Sequence, residues 1–150
     1  MPSTQRDLSQ LLGAARRWCE EGLFAAMEAA GETPVSPTQV QLCSVLDDEG
    51  TTVSELARRT GVTRQTAHQA VHGLVAAGIL EQAPDPTSAK QRLIRRTAEG
   101  ERVHRLARAA LARIEEQLAA RIGEDLAVAL RAALEAPWGP PPGADSVPPG

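Results

Sequence analysis

The sequence predicts a mainly α fold of about six helices, with one two- or three-stranded β element near its middle. Two observations carry that expectation. The 150 residues are dominated by Ala, Leu, Arg and Glu, with one Phe, two Trp and no Tyr, a mix that favours helix over sheet. Apolar residues recur every three or four positions along most of the chain, and only residues 79–83 and 92–96 read as short strands. A chain of this length is about one domain and can bury a core of its own.

The elements follow in order. Residues 7–30 read as one long helix with Leu8, Leu11, Trp18, Cys19, Leu23 and Met27 on its apolar stripe, stopped by Gly31. Ser36 as N-cap and Pro37 at the first helical position open a second helix, which ends at the acidic turn DDEG, residues 47–50. Thr52 caps a third, short helix, with Glu55 three residues on completing a capping box, and Leu56 and Ala57 face inward. Thr60-Gly61-Val62 is a tight connection, and Thr63 caps a fourth helix that ends near Gly78. Two short helices across a glycine-containing turn form a helix-turn-helix pattern. The two strands flank PDPTSAK, residues 84–90, a loop rich in turn formers, so a hairpin follows the helix-turn-helix directly, as a wing does. From Ala98 the apolar repeat resumes through Val103, Leu106, Ile114, Leu118, Leu126 and Leu134. Gly123 splits this stretch into a long and a shorter helix, and Pro137 ends it. The Pro-rich tail, 137–150, is expected to be disordered, with Trp138 its one residue able to dock.

The charge is unevenly distributed. The chain carries −3 overall, yet residues 51–97 hold seven basic residues and three acids and are therefore +4, while the remainder, nine Arg against sixteen acids, is −7. A basic middle between acidic flanks points to a polyanionic partner. The fourth helix sharpens this. Val62, Ala67, Val71, Leu74 and Val75 form its apolar side, and the opposite side shows Arg64, Gln65, Thr66, His68, Gln69 and His72 with no acid among them. Arg reads guanine and Gln reads adenine in the major groove, Thr and His serve base edges or phosphates, and an acid there would meet phosphate repulsion. That face fits a recognition helix in double-stranded DNA. Thr63 caps it, Arg58 and Arg59 at the end of the preceding helix are placed to hold the DNA backbone, and Lys90 and Arg92 are the wing contacts.

The words SPTQVQLCSVL, TVSELARRTGVTRQTAHQAVHGLVAAGILEQAPDP and RRTAEGERV resemble the MarR family of winged-helix transcription regulators, at motif level over residues 36–103. The resemblance implies a homodimer whose first and last two helices interlock and whose two winged helices bind a pseudo-palindromic operator. It thereby divides the chain into an N-terminal dimerisation helix (1–35), a winged helix-turn-helix DNA-binding lobe (36–97), C-terminal dimerisation helices (98–136) and the tail. It also implies a repressor released by a small, often aromatic or phenolic effector in a cleft between the dimer domain and the lobe, or, in some members, cysteine-based oxidant sensing. Two features, the wing tip and one position of the recognition helix, depart from the family pattern. Its wing tip reads Asp-Pro-x-Asp-Arg-Arg, whereas here Ser88 stands for the bracing acid and Lys90 for the minor-groove arginine; Gly73 stands where a basic residue is common. Lys is a point charge without the planar fork of Arg.

Other residues admit more than one assignment. Trp18, Cys19 and His104 are candidate ligand contacts; the competing assignments are core packing for Trp18 and Cys19 and a surface or hinge position for His104. His68 and His72, four apart, could share a metal, but no third ligand lies near in sequence and no metal is expected. Two cysteines are too few and too unpatterned for a disulfide scaffold or zinc site, the N-terminus lacks a charged-then-apolar signal, and no apolar run reaches the ~18 residues of a membrane span, so a reduced, cytoplasmic protein is expected. No Ser-His-Asp arrangement, phosphate-binding glycine loop or carboxylate pair stands out, so neither an enzyme nor a cofactor is expected. A winged-helix protein-interaction module, without specific DNA binding, is the alternative of a different class.

Overall fold

The computed structural model describes residues 5–144. Among them lie six helices and one antiparallel hairpin: α1 (Leu8–Ala29), α2 (Pro37–Ser44), α3 (Val53–Thr60), α4 (Arg64–Ala76), β1 (Leu80–Asp85), β2 (Ser88–Arg96), α5 (Ala98–Ile122) and α6 (Glu124–Glu135). This is the mainly α, winged helix-turn-helix architecture expected. The chain divides into two compact units, the first ending at Ile114 and the second beginning at Glu115. Residues 1–4 of the expected N-terminal segment and 145–150 of the expected tail lie outside the described residues.

Local sequence explains the helix starts. Asp7 and Ser36 each accept from the backbone N–H three residues on, and Gln10 and Gln39 return the bond, so both form complete capping boxes. The capping box expected at Thr52 is only half built. Thr52 Oγ1 accepts from the Glu55 N–H at 3.3 Å, but the Glu55 carboxylate turns to Arg58 and Arg59. Charge-assisted bonds to two guanidinium groups outweigh one bond to a neutral amide. Gly61, at φ 72°, closes α3 in the left-handed conformation that lets α4 turn away.

Four elements meet in the core. Leu42 of α2, Leu56 of α3, Leu74 of α4 and Ile94 of β2 are fully buried, with Ala67, Val71, Ile79 and Leu80 around them. Val75 does not belong to that set: it is exposed at the outer edge of α4. The wing strands are longer than expected and consume most of the PDPTSAK loop. They pair from Leu80↔Arg96 to Pro84↔Arg92, with a register shift at Asp85. Asp85 makes the short turn possible by accepting from the Thr87 N–H at 2.8 Å and hydroxyl at 2.7 Å. Thr51 adds a one-residue third strand: its N–H donates to Ile94 O at 2.9 Å and its carbonyl accepts from Ile94 N at 2.8 Å. Where the wing enters α5, Thr97 Oγ1 accepts from Gly100 N at 3.0 Å and donates to Ile79 O at 3.2 Å.

In the second unit, Arg131 pairs with Glu115 and Glu135, and the Trp138 indole N–H donates to Ala133 O at 2.9 Å, folding that ring onto the last turn of α6. No helix among the described residues is long and apolar enough to cross a membrane.

Candidate nucleic-acid interface

The surface is built from α4 outward. Ala67, Ala70, Val71 and Leu74 anchor the helix, and this leaves Arg64, Gln65, His68, Gln69 and His72 exposed on one side. Among the described residues, none of these five side chains is held by a hydrogen bond or ion pair within the chain. Thr63 and Thr66 differ. The Thr63 hydroxyl donates to Thr66 Oγ1 at 2.9 Å and accepts from the Thr66 N–H at 3.1 Å, so Thr63 is engaged in capping. A groove between α4 and β1 is walled by His68, Gln69, His72 and Gln82, with Val71 and Val75 at its base.

The two arginines of α3 part company. Among the described residues Arg58 pairs only with Glu55, and its side chain is 73% exposed. Arg59 is a brace: it donates to both oxygens of Asp47 at 3.0 and 3.1 Å, to Glu55 at 3.0 Å and to Val45 O at 2.8 Å. These guanidinium groups hold the Glu55 carboxyl down at about 2 and lower that of Asp47. The acidic turn before α3 thus neutralises two of the basic residues of the middle segment, since Asp47 takes Arg59 and Asp48 takes Arg96. Among the described residues Arg64, Lys90 and Arg92 are in no ion pair. Lys90 and Arg92 are exposed on β2, and Asp85 rather than Ser88 braces the turn beside them.

Gly73 faces the end of the Gln39 side chain. A Cβ there would lie 2.7 Å from Gln39 Nε2, which donates to Ala70 O at 3.4 Å while the Gln39 carbonyl accepts from Ser36 N. A Cβ there would displace the end of the flexible Gln39 side chain and no backbone.

A second concavity lies behind the lobe, between α1, α2 and α5. Leu23, Phe24, Met27, Leu74, Val103 and Leu111 make it apolar, and Gln39, Cys43, Arg96, His104 and Arg108 bring polar groups to its wall. His104 therefore lines it; Trp18 and Cys19 do not. Burial, then Arg96, lowers the His104 pKa, and burial pushes the Cys43 thiol up to about 11, against the opposing pull of Arg96. Sequence reasoning missed Phe24, Met27, Gln39 and Arg96. Their convergence joins residues up to 72 positions apart (Phe24 to Arg96), and only the alternation at the end of β2 hinted that Arg96 points inward.

A helix-turn-helix whose second helix presents an acid-free polar face, followed by a hairpin whose Lys90 and Arg92 are in no ion pair among the described residues, is a winged helix-turn-helix. Residues 33–91 match the MarR family. An uncharacterized protein of Mycobacterium tuberculosis is 37% identical over 97 residues, 65% of this chain and 63% of the relative's own length. Among solved structures, CouR from Rhodococcus jostii bound to p-coumaroyl-CoA superposes with a TM-score of 0.70 at 18% identity, covering 90% of this chain and 94% of CouR. Apo MarR from E. coli gives a TM-score of 0.70 at 16% identity, covering 89% and 97%. At these identities the structures show a shared fold.

Proposed function

We propose that this protein is a homodimeric transcription regulator of the cytoplasm that binds a pseudo-palindromic operator and represses until a small-molecule effector releases it. The observation that carries the reading is the exposed face of α4, five polar side chains without an acid and without partners inside the protein among the described residues, beside Lys90 and Arg92 of the wing. Arg64, Gln65, His68, Gln69 and His72 read base edges or phosphates, Thr66 supports the start of the helix, Arg58 reaches the backbone, and Lys90 and Arg92 reach the adjacent minor groove. Arg59 acts through its brace on Asp47. Residues 1–35 and 98–136 supply the dimerisation helices; their support is the exposure of Leu8, Leu11, Ile122, Leu126, Val128 and Leu130. The effector site is the apolar cleft with His104 on its wall, and the p-coumaroyl-CoA held by CouR lends the idea weight.

The test is fluorescence anisotropy with DNA from upstream of the protein's own gene, titrated at several salt concentrations. Saturable binding stronger than to scrambled DNA, with a log–log salt slope worth several phosphates, supports the reading. Weak and equal binding to both DNAs overturns it in favour of a protein-interaction module.

A further inference from the structure

The effector reading leaves open how occupancy of the cleft reaches the DNA-binding surface. Arg96 connects the two. It is the last residue of β2 and lines the cleft, and its side chain is 5% exposed. A guanidinium so buried needs partners. Nε donates to Glu101 at 3.0 Å, Nη2 donates to Asp48, and Nη1 has no hydrogen bond among the described residues. The wall of an apolar cleft thus carries a fixed cation with donors to spare, and Arg108 lines the same cleft.

Asp48 is the other half. It sits in the turn between α2 and α3, its side chain is 90% exposed, and its carboxylate accepts from Arg96. Its neighbour Asp47 clamps Arg59 at the end of α3, and Thr51 of the same turn pairs with Ile94 in the wing. The turn therefore hangs from the cleft through Asp48, from the helix-turn-helix through Asp47 and from the wing through Thr51.

We propose that Arg96 is the anion-binding group of the cleft, and that an organic anion bound there competes with Asp48 for it, releasing the turn at 47–51 that aligns α3 and the wing. The proposal rests on the cleft being the effector site. The competition is what couples the sites, because a ligand shifts a conformational equilibrium only if it binds the two states differently. Here it binds the state in which Arg96 has left Asp48. The exposed Asp48 is the weaker holder, since an ion pair open to water on one side gains little. The cavity of about 170 Å³ sets the size of the probe, because an apolar cavity of ~150 Å³ accepts one benzene ring.

Calorimetric titration of the full chain with benzoate and with benzamide, a charged and a neutral ring of one size, tests the assignment. Benzoate is expected to bind about tenfold tighter than benzamide, and Arg96→Gln to erase that ratio. Asp48→Asn, at an exposed position that leaves the core intact, is expected to tighten benzoate about threefold and leave benzamide unchanged. Benzoate is also expected to speed amide hydrogen exchange at Thr51 and Ile94. Equal affinity for the two rings, benzoate binding indifferent to Asp48→Asn, or unchanged exchange at Thr51 overturns the role of Arg96 and leaves the cleft as a ligand site. Binding of neither ring refutes the cleft reading, and the proposal with it.

Discussion

At the scale of single residues, what separates a DNA contact from a structural group is whether the fold already occupies it. Gln65 and Gln69 are exposed on α4, so Gln65→Ala or Gln69→Ala is expected to cost about 1–3 kcal/mol on the specific site and little on random DNA, measured by competition anisotropy. Lys90→Ala should weaken both DNAs alike and reduce the salt slope by about one. Arg59→Ala should behave differently from both, lowering stability with little change in that slope, because its guanidinium is spent on Asp47, Glu55 and Val45. That difference from Arg58 was not legible in the sequence. The two arginines are adjacent on one short helix, and the partners that distinguish them sit 12 and 14 residues upstream. The acid-free face of α4 was legible, because a helix converts spacing directly into a surface. Glu55 gives this cluster a pH signature. Its folded pKa, about 2, lies below the ordinary 4.5, so its contribution to stability is present above pH 4.5 and is lost as pH falls toward 2. Thermal melts from pH 5 to 2 should show the loss, and Glu55→Gln should flatten it; an unchanged profile in the variant would count against the Arg58–Glu55–Arg59 cluster.

At the scale of elements, helix starts were readable because caps are written within four residues: Asp7 with Gln10, Ser36 with Gln39, and Thr63 with Thr66 all form as local chemistry dictates. The wing was less readable. PDPTSAK carries turn formers throughout, and composition alone could not show that Asp85 would close the turn early and let β2 begin at Ser88. Close approaches between elements were illegible for the same reason. Gly100 looks like an unfavourable residue in the first turn of α5, yet a Cβ there would lie 2.0 Å from the Ile79 carbonyl oxygen. Because the obstacle is backbone, the joint between wing and helix would have to open. Gly100→Ala is therefore expected to destabilise the fold by about 3 kcal/mol in urea unfolding, despite the better helix propensity of Ala. Little or no loss would mean that α5 does not seat against Ile79 as closely as the structure places it.

At the scale of the whole molecule, the unbalanced feature is apolar surface. Leu126 and Val128 of α6 are each 61% exposed, and Leu130 and Leu134 of the same helix, like Leu8 and Leu11 of α1, also face outward. A helix that gives most of its leucines to water is stable only if something covers them. A second copy is the economical cover for a DNA reader, since two-fold symmetry also sets two recognition helices about 34 Å apart along one duplex. Sedimentation equilibrium at micromolar concentration is expected to show a dimer, and the double substitution Leu126→Glu with Leu130→Glu to give monomers. The substituted positions lie outside the core formed by Leu42, Leu56, Leu74 and Ile94, so the monomer should keep its winged helix and its contacts to one half-site. What it should lose is the second, linked contact. Affinity for a full operator is then expected to fall by at least about a hundredfold, while affinity for an isolated half-site stays within about twofold of the parent. A monomeric parent, or a variant that stays dimeric, would remove these helices from the interface and assign their leucines to a different partner.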